Sequence, residues 1–89
     1  MTKQQRLQLG GVSDRGLRLL IDVRRFEREN EGVGIKPAVL LAGRPVAYWI
    51  TLQNLQRLGL CKLRDDLIVT RGRARAIGPS WWGRSAIGK

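Results

Sequence analysis

The order of apolar and polar positions divides the chain into a polar leading stretch, three helical patterns, two strand patterns and a closing tail. Apolar residues at Leu17, Leu19, Leu20, Ile21, Val23 and Phe26 recur at helical spacing. Leu19, Leu20, Val23 and Phe26 share one broad face, and Leu17 with Ile21 widens it, so this helix is expected to pack on more than one side. Ser13-Asp14 supplies a cap, and the pattern runs to about Asn30, where Glu31-Gly32-Val33-Gly34 breaks it. Ile35 leads into residues 36–43, where Pro37 suits a first turn and predicts a helix of about two turns.

Gly43-Arg44-Pro45 reads as a tight turn, and Pro45 opens a third helix through residues 46–58, stopped by Gly59. Two helices joined by a short Gly-containing turn form a helix-turn-helix pattern. At 100° per residue, Tyr48, Leu52, Leu55 and Leu58 gather on a core-facing side with Thr51. Val46, Trp49, Ile50, Gln53 and Arg57 gather on the other, which makes the outward side unusually apolar. Residues 61–64 and 67–70 are two strands around Asp65-Asp66, a β-hairpin whose second strand carries β-branched Ile68, Val69 and Thr70. Arg71, Arg73 and Arg75 then alternate with small residues; extended, they share one edge, and helical, they spread around the axis. The expected organisation is a flexible basic arm over 1–12 with a short strand at Arg6–Leu9, a folded domain over 13–77, and a basic tail over 78–89 holding Trp81 and Trp82.

Charge narrows the choice of partners. Seventeen Lys and Arg against seven Asp and Glu give +10 with no histidine, and a pI near 11.5. Residues 67–89 alone carry five bases and no acid. Such an excess calls for a polyanion, and nucleic acid is the expected one, because each phosphate contact releases condensed counterions. The single cysteine, Cys61, with no histidine to join it, leaves no zinc site or internal disulfide to assemble, and its place after Gly59-Leu60 suits a small buried hydrophobe. No cofactor and no metal are expected. No nucleophile–base pair or phosphate-binding glycine loop can be built either, so the chain is not expected to be an enzyme. The absence of a long apolar run predicts no membrane partner and a cytoplasmic, nucleoid-associated location.

Leu55-x-x-x-Gly59-Leu60-Cys61, a charged strand, a turn and Val69-Thr70-Arg71-Gly72-Arg73 resemble the end of the recognition helix and the wing of winged helix-turn-helix regulators, the MarR-like bacterial and phage group in particular. The resemblance covers roughly residues 17–76. It implies a mainly α fold with a small β-hairpin, a three-helix bundle plus wing, in which the third helix enters the major groove of double-stranded DNA. On that implication Val46, Ala47, Trp49, Ile50, Gln53, Asn54 and Arg57 lie on or beside the DNA-facing side. Lys62, Arg64 and Arg71 belong to the wing and Arg73 to its exit. The wing is very short, the Thr-to-Gly spacing is one residue tighter than in the family, and the family's long dimerisation helices are missing. These departures argue against a full MarR-type effector-binding dimer, and a minimal winged helix is compatible with small phage or plasmid regulators and excisionase-like architectural proteins.

Chemistry agrees with part of this assignment. Gln53 and Asn54 carry amides matched to adenine edges, and Arg57 a guanidinium matched to guanine or phosphate. Arg71, Arg73, Arg75 and Arg84 are candidates for phosphate contacts, and Arg44 is a further candidate for nucleic-acid binding. Val46, Trp49 and Ile50 suit thymine methyl groups, a protein interface or burial against another part of the chain. Trp81 and Trp82 suit base stacking, a partner, or packing back onto the domain. The expected function is sequence-preferring duplex binding by a transcription regulator or architectural factor of a phage or mobile element. The alternatives are a protein-interaction module or homodimer built on Trp49 and Ile50 or on Trp81 and Trp82, such as a phage-encoded inhibitor of a host protein, and an RNA or single-strand binder acting through the tail.

Overall fold

The computed structural model describes residues 11–84, with side chains as far as Trp81. The arm over residues 1–10, its expected strand at Arg6–Leu9, and the end of the tail lie outside the described residues, as do the side chains of Trp82 and Arg84. Three helices, α1 (Asp14–Glu29), α2 (Pro37–Leu40) and α3 (Ala47–Arg57), precede strands β1 (Cys61–Arg64) and β2 (Leu67–Thr70) and two 3₁₀ segments, Gly72–Ala76 and Pro79–Arg84.

α1 is the axis of the molecule. Ser13 caps it, its Oγ accepting from the Gly16 amide at 3.1 Å. At the other end the Gly32 amide donates to the Glu27 carbonyl at 2.7 Å, with Glu31 in the left-handed region at φ 55°. Leu17, Leu19, Leu20, Ile21 and Val23 are all buried, and α1 packs against α2, α3, β2 and both 3₁₀ segments. The broad apolar surface therefore encloses the helix, as its spacing indicates. A Cβ on Gly16 would stand 3.2 Å from Leu55 Cδ2, so the first turn of α1 abuts α3 closely.

α2 has one turn rather than the two expected. Beyond Leu40 the bonds tighten, with Ala42 N–H reaching Val39 O at 3.4 Å, and Gly43 turns the chain at φ 73°. The tightening delivers Arg44 back to α1, where its guanidinium pairs with the carboxylate of Asp22. Asp22 is fully buried and the Arg44 side chain is largely so.

α3 ends on a left-handed Gly59 at φ 76°, and the Leu60 amide closes the end by donating to Leu55 O at 3.0 Å. This changes one core assignment. Leu58, at the cap, is 55% exposed, and buried Leu60 takes the inward position beside Leu52 and Leu55.

The hairpin forms where the strand patterns place it, pairing Cys61 with Thr70, Lys62 with Val69, Leu63 with Ile68 and Arg64 with Leu67. Asp65 and Asp66 both take positive φ, 53° and 64°, the geometry of a two-residue type I′ turn that follows the twist of the strands. Ile35 adds an antiparallel bridge to Ile68, with amide-to-carbonyl distances of 3.0 and 2.7 Å. A Cβ at Gly34 would fall 2.6 Å from Ile68 O, so only glycine permits that approach. From the other side, buried Glu27 accepts from the Thr70 amide at 2.8 Å and from the Thr70 hydroxyl, and Arg24 lies 3.3 Å from the same carboxylate.

The packed unit extends past the expected boundary at Ile77. Trp81 is 5% exposed and belongs to the core with Ala74 and Ile77. Among the described residues no helix is long and apolar enough to cross a membrane.

Two outcomes test this account. Arg44→Ala leaves a buried carboxylate unpaired and should lower unfolding free energy by about 3–5 kcal/mol, whereas Asp22→Leu combined with Arg44→Met should recover most of it; urea melts of the three proteins measure both. Asp66→Gly should raise stability by about 0.5–1 kcal/mol by relieving the left-handed residue, and Asp66→Val should lower it, as read from melting temperatures.

Candidate nucleic-acid interface

The surface that the sequence points to is built on the side of α3 turned away from α1. Leu52 and Leu55 are buried against the core, and Tyr48 packs partly against it. The opposite side is open: Val46 is 75%, Ile50 58% and Trp49 46% exposed, and Gln53, Asn54 and Arg57 are exposed as well. Ala47 is only half-buried at the flank. α3 carries no carboxylate, and Arg57 in its last turn lies where the helix dipole favours a cation.

Beside α3 stands the hairpin. Lys62 and Arg64 are exposed and, two residues apart on one strand, share a face of β1. Arg71 is exposed in extended backbone, its amide donating to Leu60 O at 2.9 Å. That bond sets Arg71 next to Leu60 in the chain leaving α3.

Three of the expected contacts need correction. Arg44 is not a surface cation: its guanidinium is held by Asp22 and covered by the Tyr48 ring at 5.1 Å, because the turn before α3 folds inward onto α1. Arg71, Arg73 and Arg75 do not form a row along one strand edge. Gly72, at φ 58°, takes the chain out of β2 into a 3₁₀ turn, and two residues apart on such a turn lie about 240° around its axis. Arg73 and Arg75 are exposed on different sides, with buried Ala74 between them. Trp81 is removed from both base stacking and partner docking by its burial against α1.

The structure adds Arg15, which the sequence pattern did not single out. Its guanidinium lies 5.3 Å from the Tyr48 ring centroid, on an exposed residue of the first turn of α1. Tyr48 is thus flanked by two guanidiniums, one buried with Asp22 and one facing water. Arg18 is also exposed, one turn along α1 from Arg15. The only signal for Arg15 in the sequence was the Ser13 cap that fixes the start of α1; its nearness to α3 depends on the Gly16–Leu55 crossing.

No acid lies on α3 itself. Exposed carboxylates occur at Asp14 in the first turn of α1, at Glu29 and Glu31 at its far end, and at Asp65 and Asp66 on the hairpin tip. An open groove of about 770 Å³, lined by Phe26, Val33, Ile35, Val39 and Leu67, has Glu29 and Glu31 against the single base Lys36 among its walls, an arrangement less suited to a polyanion than the α3 side. The Cys61 thiol is buried and its pKa pushed up to about 12 by desolvation, so it stays protonated and unreactive at neutral pH.

No protein-family model matches this chain, and comparison with curated proteins and with solved structures likewise returned no match.

Proposed function

We propose that this chain is a small winged-helix protein that binds double-stranded DNA through α3, and that it acts as a transcription regulator or architectural factor of a phage or mobile element, on the nucleoid of its host. The observation carrying this reading is the open side of an acid-free α3, with Gln53, Asn54 and Arg57 exposed together and Lys62, Arg64 and Arg71 on the adjoining hairpin and its exit. The order of elements supports it. Ile35, between α1 and α2, bridges to Ile68 of the hairpin, and the hairpin packs beside α3, an arrangement in keeping with a wing next to a groove-reading helix. Backbone contacts from the arginines would set register, and the amides of Gln53 and Asn54 would read base edges.

A second reading is favoured by Val46, Trp49 and Ile50, whose exposure together suits a protein partner. In that case the same side of α3 is a hot spot and the charge matches an acidic protein.

Fluorescence anisotropy with random duplex, single strand and RNA at two salt concentrations separates these readings. Duplex should be preferred, with a log–log salt slope near −4 to −5 for about five phosphate contacts. Arg57→Glu with Arg71→Glu should abolish duplex binding at moderate salt, and full retention would refute the proposal. Gln53→Ala should leave nonspecific affinity intact while lowering discrimination among selected duplexes by about fivefold or more.

A further inference from the structure

The apolar half of the α3 surface asks what in a DNA groove could cover it. Val46, Ile50, Gln53 and Arg57 follow one another at spacings of four, three and four residues, so they form a single stripe along the exposed side, with Trp49 and Asn54 at its edges. The stripe is ordered: aliphatic at its N-terminal end, amide in the middle, guanidinium at its C-terminal end. α3 holds no Asp or Glu, the side chains that would accept a hydrogen bond from the cytosine amino group.

The major groove offers one apolar group at the base edges, the C5-methyl of thymine, and 5-methylcytosine places the same methyl at the same position. Amides match adenine, the partner of thymine, and Arg57 matches guanine or phosphate. Val46 and Ile50, exposed at 75% and 58%, have room to close over such methyls without any rearrangement of the core. The charged surroundings fit this occupant: Arg15 is exposed beside Tyr48, and Lys62, Arg64 and Arg71 are exposed on the adjoining hairpin and its exit, all available for phosphates near the stripe.

From this geometry we infer that α3 selects duplex DNA bearing C5-methylated pyrimidines, with Val46 and Ile50 as the methyl-reading residues and Trp49 as the wall beside them. The inference rests on the proposal that α3 is the groove-reading helix. It assigns thymine-rich steps, or 5-methylcytosine in their place, to the N-terminal end of α3, and adenine to the level of Gln53. Each methyl covered should be worth about fourfold in affinity, the factor that corresponds to burying one methylene-sized group.

The test uses the full chain and four fluorescent duplexes of equal length: an A·T duplex, the same duplex with deoxyuridine for thymidine, a G·C duplex, and that duplex with 5-methylcytosine. Anisotropy titrations at one moderate salt concentration compare the wild type with the Val46→Ala/Ile50→Ala variant, whose changes lie on the surface and leave the core intact. The wild type should bind the thymidine duplex at least tenfold more tightly than the deoxyuridine duplex, and the methylated G·C duplex more tightly than the plain one. Both differences should shrink to about twofold or less in the variant, which separates direct methyl contact from a change in duplex shape. Equal binding of the thymidine and deoxyuridine duplexes by the wild type overturns the inference while leaving duplex binding standing. Methyl sensitivity that persists undiminished in the variant also overturns it. Failure to bind any of the four duplexes, even at low salt, overturns both the inference and the proposed function.

Discussion

The pair formed by Asp22 and Arg44 sets the placement of everything that follows α2. A carboxylate in the middle of a fully packed helix is unfavourable unless a cation reaches it, and Arg44 is carried to it by the one-turn α2 and left-handed Gly43. Once Arg44 is seated, Pro45 and Val46 must leave from that point, so the origin of α3 is fixed. The Tyr48 ring then closes over the guanidinium, and Leu52 and Leu55 complete the contact along α1. The exposure of Val46, Trp49, Ile50, Gln53 and Arg57 follows from that anchoring, since the helix has no freedom to roll its apolar outer side inward.

A second buried carboxylate does comparable work for the hairpin. Glu27 holds the end of β2 through the amide and hydroxyl of Thr70, while Ile35 holds its middle through two backbone bonds. A two-stranded hairpin alone is marginal in water. Fastened at both places to the α1–α2 region, it becomes a rigid neighbour to α3, and Lys62, Arg64 and Arg71 keep defined positions relative to Arg57.

These anchors also redistribute charge. Arg44 and Arg24 are drawn toward buried acids, and Arg25 pairs with Glu29 at 3.2 Å. These pairs take up bases and acids in equal number, so the whole excess stays with the remaining side chains, and the exposed bases beside α3 face no carboxylate on that helix. What matters for a polyanion is this local balance rather than the total of +10.

Local rules in the sequence were enough for α1, α3 and the hairpin, though not for the one-turn α2 or the two 3₁₀ segments. The Ser13 cap, the stop at Gly59, the two β patterns and the Asp65-Asp66 turn are each decided by residues within a few positions of one another, and each occurs where its pattern lies. The outward stripe on α3 was legible for the same reason, because helical periodicity fixes which residues share a side. Long-range pairing could not be read that way. Arg44 looked like any other arginine in a basic chain until Asp22 met it, Trp81 looked like a tail residue until α1 covered it, and Arg15 had no visible link to α3. The arginine alternation at 71, 73 and 75 was ambiguous between strand and helix, and the left-handed Gly72 settled it by ending β2. Sequence thus determined α1, α3, the two strands and, apart from Leu58, their amphipathic faces, since these arise from near-neighbour sterics and periodicity. Tertiary structure decided which charges are spent inside and which remain outside, since that depends on desolvation at contacts between residues far apart in the chain.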